Sequence, residues 1–479
     1  MYISINTNVN GMIIFFKSQT YRTVGLTINK MIKYRKLLLL FGVLLTFLQA
    51  NAQKSKELSL KEALNYALEH KADAKKAALD ISKSEYHIKE KRAEILPTVA
   101  LDGNLINNPI LQETALPGEI LGEPGTVVMA PLGQKWNADG GINLTQKLFD
   151  QSVFIGLKAA KSSREFYQIN QQLTKENVIE KVASQYYHTL ILQANLTAVD
   201  TTYQNTVKIQ QIITSQFENG LAKGIDVKRI QVKVANLQAQ QQELQNSIQI
   251  SKNTLKFLTG LPMEMMITVT EESSPRLPQN EKEAFDFSSL NAYQSLTKEK
   301  ELRNYALQES KAANYPTLSL SAQYHYQGLG DTFPIGKDET QQVYWTDYSS
   351  ITLNLHIPIF SGLKTRAKIR QAQLDVETLQ LDIEDKKLSL RADFENAKNQ
   401  IRTSEITIEN QQQNVVLAKE VVEDIQNNYT NGLAPLTDVL DAETSLIEAQ
   451  NNYNKAILDY RLALLDYLKS KGELQTLLK

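Results

Sequence analysis

The sequence has 479 residues, with 52 Lys and Arg against 53 Asp and Glu, 42% hydrophobic residues and a formal net charge of −1. At roughly 100 to 200 residues per domain, this length can hold several domains and a sizeable core. The balanced charge argues against a nucleic-acid partner, because such proteins neutralise phosphates with an excess of Lys and Arg. The absence of cysteine excludes disulfides, thiolate metal ligands and cysteine nucleophiles.

We interpret the first 52 residues as a leader. Lys33, Arg35 and Lys36 precede an apolar run over 37–48, and small residues follow at 50–52, as in a secretory signal peptide. The predicted signal peptide covers about 31–52, and the sequence leaves open whether residues 1–30 are translated. The apolar run is shorter than the roughly 20 residues of a membrane-spanning helix, which disfavours the alternative of a membrane anchor.

Glycine and proline occur in clusters separated by wide gaps. The gaps include 157–219, 225–259, 363–431 and 436–471, and they predict helices because either residue costs ~1 to 3 kcal/mol inside a helix. At about 1.5 Å per residue, the two longest gaps predict rods of about 100 Å. Apolar residues alternate there at spacings of three and four, which is typical of a coiled coil.

The chain is predicted to be a twofold repeat. The motif Asn219–Ala222, followed by Asp226, recurs as Asn431–Ala434, followed by Asp438. The apolar positions around both turns share one register, so each repeat is expected to contain a long helical hairpin. The predicted organisation is a first repeat at 53–260, an inter-repeat linker at 261–285, a second repeat at 286–475 and a C-terminal tail at 476–479.

Short segments between the helices alternate apolar and polar residues. Residues 318–327 and 351–359 alternate throughout, and weaker equivalents begin at Val99 and Ile142. A period of two predicts strands, and about 9 to 11 residues is the length of a tilted transmembrane strand. Loops rich in glycine and proline, 107–137 and 328–347, join each pair of strands. The residues expected to face lipid are Leu318, Leu320, Tyr324, Tyr326, Ile351, Leu353, Leu355 and Ile357.

Four strands cannot close a barrel. Open strand edges in a membrane would leave backbone groups unpaired at several kcal/mol each, so the chain is expected to pool its strands with identical copies. Three copies would supply twelve strands. The alternative is a pair of water-soluble hairpins on a coiled-coil scaffold, with Tyr324 and Tyr326 in a small core.

The order of these elements carries a family resemblance. Helix, strand, strand, long helix, glycine turn and helix occur twice, and each strand pair opens at a Leu-Pro-Thr or Tyr-Pro-Thr triplet, 96–98 and 315–317. The chain resembles the TolC-type outer-membrane efflux proteins over roughly residues 58–472. The resemblance implies a mainly α fold with a small β part, in which a homotrimer forms one 12-stranded transmembrane β-barrel and a coiled-coil α-barrel across the periplasm. It also implies a cell outer-membrane location, a periplasmic adaptor (membrane fusion protein) and an inner-membrane pump as partners, and no catalysis or cofactor.

The resemblance also gives roles to the residues of both turns. It places Tyr429, Asp438 and Asp441 in the pattern of the channel constriction, with Asp226 linking neighbouring hairpins. An arginine that often tethers the closed state is replaced here by Ala434, which leaves open whether the tip closes fully. The implied adaptor-docking tips are Gly220, Leu221, Ala222, Lys223, Gly224, Gly432, Leu433, Ala434 and Pro435.

The spacing of Asp438 and Asp441 supports a constriction independently of the resemblance. Residues three apart project from one helix face, so three-fold symmetry would stack two rings of carboxylates that favour cations. The alternative is structural: Asp226 and Asp438 each follow a glycine turn, where an N-cap contributes ~1 kcal/mol, and Asp441 and Glu443 suit the positive end of the helix dipole.

The remaining motifs indicate no site. No two of the five histidines are three or four residues apart, so we expect surface positions for them and no zinc site on a helix.

The predicted function is a passive outer-membrane exit duct of a tripartite efflux pump for small molecules such as drugs. The alternatives are a duct for type I protein secretion or metal-cation efflux and, in another class, a periplasmic coiled-coil scaffold without a pore.

Overall fold

A computed structural model describes residues 56–122, 124–270, 285–334 and 343–478. The predicted leader lies outside these residues, as does most of the predicted inter-repeat linker. The described chain forms two units. The smaller unit contains the strands Lys56–Leu58 and Ile267–Val269, labelled β1 and β6 in chain order, which pair in parallel.

The larger unit begins with a capped helix. Ser59 accepts a hydrogen bond from the backbone N–H of Glu62, and Glu62 accepts one from Ser59 in return, which satisfies two otherwise unpaired donors. The first half of the larger unit consists of α1 (Leu60–His70), α2 (Ala72–Ala93), β2 (Thr98–Asn107), β3 (Glu113–Pro117), β4 (Val127–Pro131), β5 (Trp136–Phe149), α3 (Gln151–Glu218) and α4 (Gly224–Thr259).

The second half repeats this order with fewer elements. It consists of α5 (Asn291–Ala312), β7 (Thr317–Gly330), β8 (Val343–His356), α6 (Lys364–Thr430) and α7 (Leu436–Lys471). In both halves a helical segment leads into two long strands, a very long helix, a glycine turn and a shorter helix. The prediction of a mainly α chain with a small β part is confirmed.

The two longest helices confirm the rods predicted from the glycine and proline gaps. Helix α3 has 68 residues and α6 has 67, so each is about 100 Å long at ~1.5 Å per residue. Helix α4 packs against α3 and α7 against α6, and α7 also packs against α3. Val199 and Leu237, which belong to the predicted heptad rows, form one buried cluster with Ile447, which does not. None of the described helices combines the length and the apolar character needed to cross a membrane.

The four long strands form one antiparallel sheet in the order β2-β5-β7-β8. The pairing of β5 with β7 joins the two halves of the chain. Strands β2 and β8 lie at the edges, and neither has a second neighbour among the described residues. The sheet is therefore open on both sides within one chain.

The two faces of this sheet differ in polarity. Directly opposite residues of antiparallel strands share a face, so the pairs Leu318–Leu355, Leu320–Leu353 and Ala322–Ile351 lie on one side. Ile351 is 81% exposed and Leu353 62% exposed, so this apolar face is uncovered within the chain. The apolar face continues across strands β5 and β2, where Leu144 pairs with Val99 and Ile142 with Leu101. The opposite face carries mainly polar residues, among them Asp102, Asp139, Asn143, Gln323, His325, Gln327, Thr346, Tyr348, Thr352 and Asn354.

Three details differ from the sequence prediction. Strand β8 ends at His356, so Ile357 lies beyond it; the following residue, Pro358, has no N–H to continue the ladder. Strand β5 changes register between Lys147 and Phe149, and this irregularity shifts Leu148 out of the expected row. The first loop contains the hairpin β3–β4, which lacks the regular alternation that revealed the longer strands.

Candidate functional site at the helix turns

The two helix turns have the same backbone geometry. Gly220 and Gly432 each have φ of 76°, in the left-handed region where residues with a Cβ are strained. The N–H of Leu221 donates to the carbonyl of Gln216 at 2.8 Å, and the N–H of Leu433 donates to that of Asn428 at 2.8 Å. These bonds are those of the Schellman motif, which ends a helix at a glycine. The repeated sequence motif thus encodes one turn twice.

The tips of both turns expose apolar side chains. Leu221 is 81% exposed and Leu433 is 78% exposed, and each follows the left-handed glycine directly. Ala222 and Ala434 are half-buried beside them. An exposed leucine therefore occupies the same position in both turns.

A buried cluster joins the two turns. Ile213 and Ile230 of the first hairpin pack with Leu436 and Val439 of the second, and all four are nearly inaccessible to solvent. Ala222, Val227 and Tyr429 are among the partly buried residues packed around them. Turns that are far apart in sequence therefore meet in one small core.

The aspartates after the turns are not helix caps. Helices α4 and α7 begin after Lys223 and Pro435, and neither of these residues makes a side-chain capping bond. Asp226 and Asp438 are the third residues of their helices, so the capping alternative from the sequence is wrong. Their charges still complement the positive end of the helix dipole, which contributes about 0.3 to 1 kcal/mol at exposed positions.

Asp226 has a partner that the sequence prediction missed. An oxygen of its carboxylate lies 3.6 Å from a guanidinium nitrogen of Arg229, one turn further along α4. Burial and the negative charge of Asp226 both raise the pKa of the Tyr429 hydroxyl above its ordinary value. The structure thus places Asp226 of the first hairpin near Tyr429 of the second. The i, i+3 spacing to Arg229 was the available signal for the ion pair.

Asp438 and Asp441 are both exposed and lie on one side of α7. The hydroxyl of Thr437 donates to Asp438 at 3.3 Å. Within the described part of the chain, neither carboxylate has a cationic nitrogen within 4.0 Å. Their negative charge is exposed at the turn, and that of Asp441 also favours the ionised form of Lys233.

A buried polar network lies next to these aspartates. Glu443 is 2% exposed, and its Oε2 accepts a hydrogen bond of 2.9 Å from the hydroxyl of Thr206 on α3. Nearby, the ammonium of Lys233 on α4 donates to the hydroxyl of Thr444 at 2.6 Å. Burial raises the pKa of Glu443, and burial lowers that of Lys233, although each charge favours the ionised form of the other.

This network was not predicted from the sequence, which offered only a helix-dipole role for Glu443. The Oε1 atom of Glu443 is buried and has no hydrogen bond of good geometry. The amide of Gln426 approaches the carboxylate from α6 and moderates the effect of burial on its pKa. Residues of all four hairpin helices thus surround one carboxylate.

The structure also places the other predicted residues. Tyr324 and Tyr326 are about half exposed on the apolar face of the sheet and do not form a core. His325 is 8% exposed and bonds to Asp139, so the expectation of a surface histidine is wrong for this residue. Among the described residues, no group of three or more His, Asp or Glu side chains is arranged to hold a metal ion.

Most of the chain matches one protein family. The family model described as outer membrane efflux protein matches residues 63–261 and 294–468, more than half of the sequence. The chain belongs to this family. The family explains the twofold order of elements, since each matched segment contains a helical hairpin. The chain is accordingly a transport protein of the outer membrane efflux type and not an enzyme, as predicted.

Named relatives are similar over about two thirds of the chain. The outer membrane protein TolC of Vibrio cholerae is 24% identical over 316 residues, which are 64% of this chain and 70% of that protein. The alkaline protease secretion protein AprF of Pseudomonas aeruginosa is 25% identical over 320 residues, 64% of this chain and 63% of the relative. The chain thus spans somewhat less than two thirds of the length of AprF.

The fold is also that of solved outer membrane channels. The CmeC outer membrane channel of Campylobacter jejuni superposes with a TM-score of 0.68 at 17% identity, covering 86% of this chain and 85% of that one. At this identity the likeness establishes the fold, and the residues of the turns must be interpreted from their own geometry.

Proposed function

We propose that the protein is the outer-membrane channel of a tripartite efflux pump and that it acts as a passive exit duct for small molecules. The observation that carries this proposal is the four-stranded sheet with one exposed apolar face, one polar face and two unpaired edges. An apolar face needs lipid or protein against it, and unpaired edges need further strands.

Three copies of the chain would satisfy both requirements. Twelve strands would close a barrel whose apolar face meets lipid, including Leu318, Leu320 and Ile351, and whose polar face lines a water-filled passage. The long helical hairpins would continue this passage as a tunnel across the periplasm. Strands of 14 residues in β7 and β8 are long enough to cross a bilayer when tilted.

The turns would form the periplasmic end of the tunnel. Exposed Leu221 and Leu433 would contact the periplasmic adaptor of an inner-membrane pump, with the rest of both turns as the docking tips. Asp438 and Asp441 would form two carboxylate rings at the constriction, and Asp226 with Tyr429 would hold neighbouring hairpins together. Ala434 provides no charge, and the cation that pairs with Asp226 is Arg229.

The proposal is tested by recording single channels of the purified trimer in planar bilayers. We expect the double substitution Asp438→Ala and Asp441→Ala to raise the conductance and to reduce the preference for cations, because it removes six charges from the constriction of three chains. The matched control is Asp73→Ala with Asp80→Ala, which removes two exposed carboxylates per chain from α2, far along the chain from the turns.

Two results would contradict the proposal. Unchanged conductance and selectivity in the double variant would reject the constriction. A chain that stays monodisperse and monomeric without detergent, with no heat-dependent shift in gel mobility, would favour the coiled-coil scaffold without a pore. Protein export is the alternative cargo class, since AprF is named for protease secretion. Drug accumulation and protein secretion in a strain lacking the chain distinguish the two.

A further inference from the structure

The polar face of the sheet contains a cluster of charged side chains around the buried His325. His325 on β7 lies directly opposite Gly141 on β5, and a Cβ at that glycine would collide with the imidazole. The ring stacks on Tyr348 of β8, with centroids 5.3 Å apart. The histidine is therefore held by both neighbouring strands, in space that only glycine leaves open.

Both ring nitrogens of His325 meet acceptors. Nδ1 lies 2.8 Å from Oδ1 of Asp139, and Nε2 lies 3.1 Å from Oδ1 of Asn143. The amide nitrogen of Asn143 donates to Asp102 at 2.6 Å. The hydroxyl of Tyr348 is 3.4 Å from the other oxygen of Asp139.

These contacts determine the protonation of the histidine. An ionised carboxylate only accepts hydrogen bonds, so Asp102 requires the NH2 group of Asn143, which turns the amide oxygen toward the imidazole. That oxygen and Asp139 both accept as well. Every hydrogen bond in the cluster can therefore form only when His325 carries a proton on both nitrogens. The imidazolium then cancels one of the two carboxylate charges.

We propose that His325, with Asp139 and Asp102, is a specificity-determining site on the wall of the passage, in which the imidazolium weakens the attraction of the carboxylates for inorganic and organic cations. This inference rests on the proposed function, because it places the polar face of the sheet in the lumen. The titratable groups that face His325 are Asp139 on β5, Asp102 on β2 and Tyr348 on β8; its own strand contributes none among the described residues.

The size of the effect follows from Coulomb's law. One positive charge per chain at ~10 Å from the axis, screened by 0.15 M salt and counted for three chains, changes the ratio of cation to anion permeability by about threefold. Loss of the imidazolium therefore raises the preference for cations by about threefold.

The test measures reversal potentials of the full-length trimer in planar bilayers under a KCl gradient. At pH 7, His325→Asn is expected to raise the K⁺ to Cl⁻ permeability ratio about threefold. The control is His356→Asn. His356 is an exposed histidine on β8 that lies on the same polar face of the sheet as His325 and has no carboxylate partner among the described residues. His356 takes no part in the cluster of His325, Asp139 and Asp102, so the control should leave the ratio unchanged.

A second variant covers the case in which His325→Asn does not assemble. Asp139→Asn removes the opposite charge and should lower the permeability ratio by a similar factor at pH 7. Channels of either variant that keep the permeability ratio of the original protein overturn the inference and leave the duct intact. A protein that conducts no ions refutes the proposed function, and this site with it.

Discussion

Replacing the buried carboxylate of Glu443 by an amide should stabilise the packing of the two hairpins at neutral pH. Glu443→Gln keeps the shape of the side chain and an oxygen that can accept the 2.9 Å hydrogen bond from Thr206. It removes a charge that burial disfavours. The new NH2 group can donate to the oxygen of the neighbouring Gln426 amide.

The size of this stabilisation follows from the buried Oε1 atom of Glu443, which has no hydrogen bond of good geometry. A buried acceptor without a hydrogen bond costs about 1 to 3 kcal/mol, and the nearby charge of Lys233 offsets part of this cost. We therefore expect Glu443→Gln to raise the free energy of unfolding by about 1 to 2 kcal/mol at pH 7. This gain is equivalent to a factor of roughly 5 to 30 in the equilibrium between packed and separated hairpins.

The stabilisation by Glu443→Gln should increase with pH. The pKa of Glu443 in the folded protein is raised above its ordinary value of 4.5, because burial disfavours the ionised form. The folded state therefore holds the proton more tightly than the unfolded chain, and this contribution to stability is complete below about pH 4.5 and is lost as the pH rises through the raised pKa. The advantage of the glutamine variant should accordingly be present at pH 7 and absent at pH 4.

Urea unfolding in detergent, followed by the far-ultraviolet circular dichroism of the helices, measures this difference. Comparing variant with original protein at each pH cancels the contributions of all other carboxylates. The matched control is Glu423→Gln, an exposed carboxylate on α6, which should change the free energy of unfolding by less than about 0.5 kcal/mol at either pH. An equal effect of Glu443→Gln at pH 4 and pH 7, or a loss of stability at pH 7, would refute the reasoning.

Two further predictions concern the same end of the hairpins. Ile230→Ala should destabilise the helical hairpins by about 2 to 5 kcal/mol in the same urea experiment, because this fully buried side chain lies in the cluster that joins both turns, whereas the exposed Val232→Ala should have little effect. Leu433→Glu should abolish cross-linking of the chain to its adaptor in cells while trimers still form, because it places a charge on the exposed apolar tip; loss of trimers would instead assign Leu433 to assembly.

Features determined by neighbouring residues could be predicted from the sequence. The turn at Gly432 depends on a left-handed glycine and the helix before it, and both are visible locally. The alternation in β7 and β8 indicated strands and the faces on which their residues lie. Strand ends were less certain: the ladder stops at His356, one residue before Ile357, because hydrogen bonding near Pro358 depends on the partner strand.

Features that require distant contacts could not be predicted in this way. The bond between Thr206 and Glu443 joins residues 237 positions apart, and that between Asp139 and His325 spans 186 positions. Each of these residues is ordinary in its local sequence. Glu443 is buried only because one hairpin packs on the other, and His325 is buried only because β5 pairs with β7.

The ion pair of Asp226 with Arg229 has a consequence for the symmetry of the proposed ring. In the repeat, Asp226 corresponds to Asp438, and Arg229 occupies the position of Asp441. One half of the chain therefore carries an ion pair where the other half carries two exposed carboxylates that form no ion pair within the described part of the chain. A ring of three chains would have six nearly equivalent hairpins in its backbone but only a three-fold pattern of charge. A cation arriving at the tip would find three acidic positions alternating with three neutral ones.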